Sequence, residues 1–219
     1  MIEGIICDAD GTLYDSMGMW KELDFNFLRS IGEEPDLEYT EIVNKMTLEE
    51  GVHYTRERFR IAMTEEEIIE QIRSMARSFY YNEVELKPYV REFLEGLYSA
   101  QIPMAIATSS QTDFIAGAAK KTGTGHYFRT ICSCAEIGIN KSKPDVFLLA
   151  ADSLGTKPEN TWVVEDSYHA LMTAKKAGFK TLAVYDLSNA PLLEETIREA
   201  DLYMEDLRDL EGFLRAVRK

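Results

Sequence analysis

The first fifteen residues constrain this chain more than any other stretch. Ile2, Ile5, Ile6 and Cys7 form a short, mostly apolar run suited to a buried strand. The run stops at Asp8, a second carboxylate follows at Asp10, and Gly11 lets the chain turn. Parallel sheets carry their chemistry at the carboxyl ends of strands, so Asp8 and Asp10 are expected at an active site. Two close acids repel each other and need a cation or a shared proton. Mg2+ suits such a pair, because it binds through one or two carboxylates, waters and substrate phosphates. Taken alone, Asp-x-Asp-Gly also fits an ordinary acidic turn, so the rest of the chain has to decide.

From about Asp15 to Leu86 the pattern is helical and no strand is expected. Trp20, Leu23, Phe27, Leu28 and Ile31 recur at helical spacing, and Gly32 and Pro35 end that helix. A second helix is expected over Leu37 to Asn44. A third starts at a capping box, Thr47-Leu-Glu-Glu50, and a fourth at another, Thr64-Glu-Glu-Glu67, running to about Tyr81. From Pro88 onward helices and strands alternate. Strands are expected over Ile102–Ala107, Phe128–Cys132, Thr161–Val164, Thr181–Tyr185 and Asp201–Met204. Helices are expected over Tyr89–Ala100, Thr112–Lys121, Pro144–Leu154, Ser167–Ala177 and Leu207–Val217. This alternation predicts an α/β fold, a Rossmann-like parallel sheet sandwiched by helices, interrupted after its first strand by a helical insertion. The core domain is expected over 1–14 and 88–219, and a helical cap over 15–87.

With 219 residues and 45% hydrophobic content the chain can bury a sizeable core. Its net charge of −14 argues against a nucleic-acid or membrane-surface partner, since both need a basic footprint. The same charge repels anionic substrates at long range, so an anion site must be built locally from lysine, hydroxyls and backbone N–H groups. Cys7, Cys132 and Cys134 make an odd set without a disulfide framework, which fits a reducing cytoplasm. No apolar run is long enough to span a bilayer, and none reads as a signal peptide.

Three strand ends carry polar groups: Asp8 and Asp10, Thr108 and Ser109, Glu165 and Asp166. A lysine-bearing stretch, Lys141-Ser-Lys-Pro144, lies between the last two. Adjacent strand ends converge such groups in one crevice. Carboxylates, a cation, a hydroxyl and a lysine are the parts phosphoryl transfer needs.

Asp8-Ala-Asp-Gly-Thr-Leu13 with Asp15-Ser16, Ala105-Ile-Ala-Thr-Ser109, Lys143-Pro-Asp145 and Trp162-Val-Val-Glu-Asp-Ser167 stand in that order. Together they resemble the four motifs of the haloacid dehalogenase superfamily, in its phosphatase and β-phosphoglucomutase-like branch with a helical cap, over nearly the whole chain. The resemblance implies an Mg2+-dependent phosphatase acting on a small phosphorylated metabolite through an aspartyl-phosphate. Asp8 would be the nucleophile, and Asp10 the acid and then the base. Thr108, Ser109, Gly11 and Lys143 would hold the phosphoryl group. Mg2+ would be bound by Asp8, the backbone carbonyl of Asp10, and Asp166, with Glu165 bonded directly or through water. Asp10 favours phosphate chemistry over dehalogenation, which needs no second acid. Ala9, Val146 and Ala170 depart from the usual residues, and none of these changes removes a reactive group.

Trp20 belongs to the apolar stripe of the first cap helix and is expected to touch substrate. The β-phosphoglucomutases carry a His at the matching point and an Arg in a cap loop, where this chain has Lys45-Met-Thr-Leu-Glu-Glu50. Both differences favour hydrolysis over a sugar phosphomutase. A non-catalytic phosphometabolite-binding protein is the other rival, although every reactive group is present. A monomer suffices for this reading, and the sequence itself sets no oligomeric state.

Overall fold

The computed structural model describes residues 2–43, 46 and 48–217, and of Leu48 and Glu49 the backbone alone. The first strand, β1 (Gly4–Cys7), is buried along its whole length. Four helices follow before any further strand: α1 (Met17–Ser30), α2 (Leu37–Val43), α3 (Leu48–Arg58) and α4 (Glu65–Asn82). The chain then alternates through α5 (Val90–Ser99), β2 (Met104–Thr108), α6 (Thr112–Thr122), β3 (Phe128–Ser133), α7 (Cys134–Ile137), α8 (Asp145–Leu154), β4 (Thr161–Glu165), α9 (Tyr168–Lys176), β5 (Lys180–Val184), α10 (Leu193–Glu199), β6 (Leu202–Met204) and α11 (Leu210–Val217). Among the described residues no helix is long and apolar enough to cross a membrane.

The strands form one parallel sheet in the order β3-β2-β1-β4-β5-β6. This is the doubly wound α/β architecture expected from the alternation. Period-two side-chain alternation divides the sheet between two apolar layers. Ile5, Cys7, Met104, Ile106, Trp162 and Val164 face one layer, which includes α5, α6 and α11. Ile6, Ala105, Ala107 and Val163 face the other, against Val146, Phe147 and Ala150 of α8 and Ala170 and Ala174 of α9. Both faces are therefore covered, which is why the strands read as continuous apolar runs rather than alternating ones. Because β1 lies between β2 and β4, the strand order reverses beside it, and the crevice falls at the carboxyl end of β1.

The helical segment has its own apolar contacts through Leu23, Phe27, Tyr39, Val52, Ile68 and Ile72, and these run continuously into the core under the sheet. Helix α4 begins at the expected capping box: Thr64 Oγ1 accepts the Glu67 N–H at 3.2 Å and Glu67 Oε2 accepts the Thr64 N–H at 2.8 Å. The capping box expected at Thr47, and the Asn44 end of the second helix, lie outside the described residues. The two chain passages joining the segment to the sheet run side by side. Asp15 donates its N–H to Glu85 O at 3.0 Å, and Lys87 donates its N–H to Leu13 O at 2.9 Å.

Some boundaries differ from the expectation. Pro144 precedes α8 as its N-cap instead of opening its first turn. Helices α7 and α10 were not expected; each is short, with four and seven residues, too little for a helical period to stand out.

Candidate active site

Asp8 continues the line of β1 by donating its N–H to Val164 O at 2.9 Å, which brings it beside the end of β4. Glu165 and Asp166 terminate that neighbouring strand. One carboxylate oxygen from each of Asp8, Glu165 and Asp166 lies within 4.8 Å of the others, and all three residues are buried. Lys141 reaches into the cluster. Its Nζ donates to Asp8 Oδ1, and to Glu165 Oε1 at 2.7 Å. Thr12 Oγ1 donates to Asp166 Oδ1 at 2.8 Å and Asn189 Nδ2 to Asp166 Oδ2 at 2.6 Å. The Ser167 N–H donates to Glu165 Oε2 at 2.9 Å.

The electrostatics of this cluster are demanding. Burial pushes the Asp8 carboxyl well above the ordinary range, and Glu165 adds to that while Lys141 opposes it. Burial and Glu165 likewise raise Asp166 to about 7. Burial disfavours the Lys141 ammonium, but Asp8 and Glu165 outweigh that and push its pKa up. Three carboxylates against one ammonium leave two negative charges unbalanced when all are ionised. Buried acids need a compensating charge, and a hard divalent cation is suited to an all-oxygen carboxylate set. The donor set therefore fits Mg2+: among the described residues Asp8 Oδ2 is the oxygen left open, while both oxygens of Glu165 and of Asp166 accept hydrogen bonds that a bound ion would share or displace.

Gly11 is buried and shapes the loop from beneath. Its φ is +84°, and a Cβ built there would lie 2.7 Å from Asp166 Oδ2. Only glycine satisfies both the left-handed backbone and that approach. Lys87 Nζ holds the same loop by donating to Gly11 O at 2.6 Å, to Tyr185 O at 2.8 Å and to Asp186 Oδ2 at 2.7 Å.

The side chain of Asp10 stands apart from the acid triad, among hydroxyls. Its Oδ1 accepts from Ser16 Oγ at 2.6 Å and from Tyr80 OH, and its Oδ2 accepts from Ser110 Oγ at 2.6 Å. Trp20 Nε1 in turn donates to Tyr80 OH at 2.9 Å. Burial and then Asp10 raise the Tyr80 phenol far above its usual pKa, so it stays protonated.

Above these residues opens a cavity of about 970 Å³. Asp8, Asp10, Lys141, Glu165 and Asp166 are on its lining; Trp20, Leu23, Ile72, Ala76 and Phe114 form an apolar wall, and Arg73, Asp24 and His169 add polar groups. The expected site residues divide here. Asp8, Asp10, Glu165, Asp166, Ser109 and Trp20 all reach the cavity. Lys143 does not: it is exposed and absent from the lining, and Lys141 occupies the position expected of it. The reason is a turn at Asn140, whose carbonyl accepts the Lys143 N–H at 3.1 Å and whose Oδ1 accepts the Ser142 N–H at 3.0 Å. The turn directs Lys141 toward the acids and leaves Lys143 outside. Thr108 also differs. It is fully buried, its Oγ1 accepts the Ser110 N–H at 3.0 Å, and Ser109 and Ser110 are on the cavity lining, the latter with its hydroxyl turned to Asp10. Gly11 shapes the loop and is not on the lining. Ser16 stood within the first motif without an assigned role, and Tyr80 and Asn189 had no sequence signal, because each acts through a contact that only the fold creates.

A parallel sheet with paired acids at the end of its first strand, a lysine beside them and a helical segment inserted after that strand defines a class of hydrolase. Residues 5–184 match the family described as haloacid dehalogenase-like hydrolase, and the chain belongs to that family. It is 26% identical over 200 residues to the phosphorylated carbohydrates phosphatase of Thermotoga maritima, covering 89% of this chain and 91% of that protein. It is 26% identical over 231 residues to the phosphoglycolate phosphatase of Shigella dysenteriae, covering 95% and 91%. In fold it is similar to CbbY from Rhodobacter sphaeroides, solved in complex with phosphate, with a TM-score of 0.77, 21% identity and 96% of each chain covered.

Proposed function

We propose that the chain is a Mg2+-dependent phosphatase of a small phosphorylated metabolite, working through an aspartyl-phosphate on Asp8. The observation that carries this reading is the division of labour between two acids two residues apart. Asp8 lies in the charged cluster with Lys141, Glu165 and Asp166, whereas Asp10 lies among neutral hydroxyl donors. An ionised acid against cationic partners suits nucleophilic attack, and an acid free of them suits proton transfer.

In the first step an Asp8 carboxylate oxygen attacks phosphorus, the bond from phosphorus to the ester oxygen breaks, and that oxygen takes the proton held by Asp10. In the second, a water gives its proton to Asp10 and attacks phosphorus, which releases phosphate and regenerates the Asp8 carboxylate. Lys141 holds Asp8 in place through their hydrogen bond and contributes positive charge beside the reacting phosphoryl group. Ser109 offers its hydroxyl and N–H for the phosphoryl oxygens, while Ser110 is committed to Asp10 through its hydroxyl and to Thr108 through its N–H. Asp8, Asp166 and the carbonyl of Asp10 would hold Mg2+, which supplies the positive charge that lets an anionic phosphate approach an anionic nucleophile. Glu165 orients Lys141 and the Ser167 N–H.

Residues 15–87 act as the cap in this reading. Closure of the cap excludes bulk water and completes the cavity, and its inner wall selects the leaving group. The names of the Thermotoga and Shigella relatives make phosphorylated carbohydrates and phosphoglycolate the first substrates to try.

Phosphate release from a panel of sugar phosphates, polyol phosphates, phosphoglycolate and nucleotides tests the reading. Release that needs Mg2+ and disappears in Asp8→Asn supports it. Release that persists in the variant at near its original rate would overturn the covalent mechanism, and a product that retains its phosphate would make the chain a mutase.

A further inference from the structure

Four hydrogen bonds around Asp10 fix the direction of every donor. Trp20 Nε1 has a proton to give and no lone pair to offer. By donating to Tyr80 OH at 2.9 Å it occupies an acceptor position on that oxygen and turns the phenolic proton toward Asp10 Oδ1. Ser16 Oγ donates to the same Oδ1 at 2.6 Å, so both in-plane acceptor positions of Oδ1 are taken. Oδ2 accepts one hydrogen bond, from Ser110, a residue on the cavity lining. Among the described residues one acceptor position on the carboxylate is left, and it belongs to Oδ2.

We propose that Tyr80, polarised by Trp20, is a positioning residue that holds Asp10 so that Oδ2 alone carries the catalytic proton. The inference rests on the phosphatase reading and deepens it. With the proton on Oδ2, all three hydroxyl donors keep their bonds: Oδ1 remains a carbonyl accepting two, and Oδ2 accepts from Ser110 while donating to the ester oxygen. The proton leaves Oδ2 as the bond from phosphorus to the ester oxygen breaks, and a water proton returns to Oδ2 in the second step. Asp10 therefore cycles between acid and base without turning over. Tyr80 is built for the task. It is fully buried, its ring stacks on Phe114 at 5.5 Å between centroids and 14° between planes, and it meets the edge of Phe79 at 5.6 Å. It also comes from α4 and Trp20 from α1, so the helical segment holds Oδ1 of the acid, while Ser110, just after β2, holds Oδ2.

The test compares the first-turnover release of alcohol, by rapid quench, from an alkyl phosphate and from p-nitrophenyl phosphate. The alkyl alcohol needs a proton to leave and nitrophenolate does not. Tyr80→Phe keeps the ring and removes the hydroxyl. It is expected to slow the alkyl substrate by roughly tenfold or more, part of the roughly 10²–10⁴-fold that a positioned acid supplies, and the aryl substrate by less than about threefold. KM should stay within about twofold for both, because no contact to bound substrate is removed. Trp20→Phe should move the alkyl rate in the same direction by a smaller factor, and the double variant should be no slower than Tyr80→Phe alone, since both act through one hydrogen bond. Equal slowing of the two substrates, a change confined to KM, or unchanged rates in Tyr80→Phe would overturn the proposal. If Tyr80→Phe does not fold, Trp20→Phe is judged on the ratio of alkyl to aryl rates alone, since Trp20 also lines the cavity and its KM is expected to move; an unchanged ratio would overturn the proposal. Asp10→Asn separates the two levels of inference. If it lacks the leaving-group signature, the acid assignment fails and this proposal with it; if it has the signature and Tyr80→Phe does not, only the positioning role fails.

Discussion

The floor and the wall of the cavity are built in different ways. The floor takes Asp8, Glu165 and Asp166 from the ends of two adjacent strands and Lys141 from a turn, and almost every oxygen there has a named partner. The wall takes Trp20 and Leu23 from α1 and Ile72 and Ala76 from α4, and it offers mainly apolar surface. Buried charges demand exact pairing, because each unpaired one costs several kcal/mol. Apolar surface demands only volume and shape, so it tolerates exchange far better. The floor is thus suited to one reaction, and the wall to whichever leaving group fits.

That contrast can be broken most severely at Asp8. Asp8→Asn should lower turnover by about 10³-fold or more, since it removes the attacking group itself. A loss near tenfold in steady-state phosphate release would mean the floor does not act through Asp8. Next in size comes the lysine pair. Lys141→Ala should cost roughly 10²-fold in kcat, as expected for losing a charged donor at the reacting centre, while the exposed Lys143→Ala should change it by less than about twofold. The opposite ranking in the same assay would remove Lys141 from the site.

Metal binding probes the floor without any substrate. Protein freed of metal by chelator should gain thermal stability when Mg2+ is added, by about 2.7 kcal/mol at a hundredfold excess over Kd. For a chain of this length that is a Tm rise of very roughly 5–10 °C by calorimetry. The rise should shrink in Asp8→Asn and Asp166→Asn, and an equal rise in both variants would show that these acids do not hold the ion. The smallest catalytic effect is expected at the wall. Ile72→Ala should reorder substrates by roughly tenfold in kcat/KM, in favour of bulkier leaving groups. It should also cost about 2–4 kcal/mol in a urea melt, because Ile72 is buried as well. A uniform loss across all substrates would mean that the wall does not select.

Much of this arrangement was legible before any coordinates. Apolar runs ending in acids marked the strand ends at Asp8 and Glu165, and the Thr64 capping box marked the start of α4. The lysine was not legible. Lys141 and Lys143 lie two residues apart in a turn, and their long side chains reach opposite surroundings according to one hydrogen-bonded bend at Asn140. Nor could spacing show how Thr108 sits: the last residue of a buried strand turns its hydroxyl to accept the Ser110 N–H, and Ser109 and Ser110 line the cavity beside it.

The sequence by itself determined the alternation that makes a parallel sheet, the helical segment placed after the first strand, and the acids that must meet at the strand ends. Those follow from local periodicity and from the direction of parallel strands. Tertiary structure alone decided which lysine pairs with Asp8, which hydroxyls hold Asp10, and that Tyr80, seventy residues away along the chain, touches it. Side-chain reach and hydrogen-bond direction depend on how α1 and α4 pack against the sheet, and packing is a property of three-dimensional surfaces that no spacing along a chain encodes.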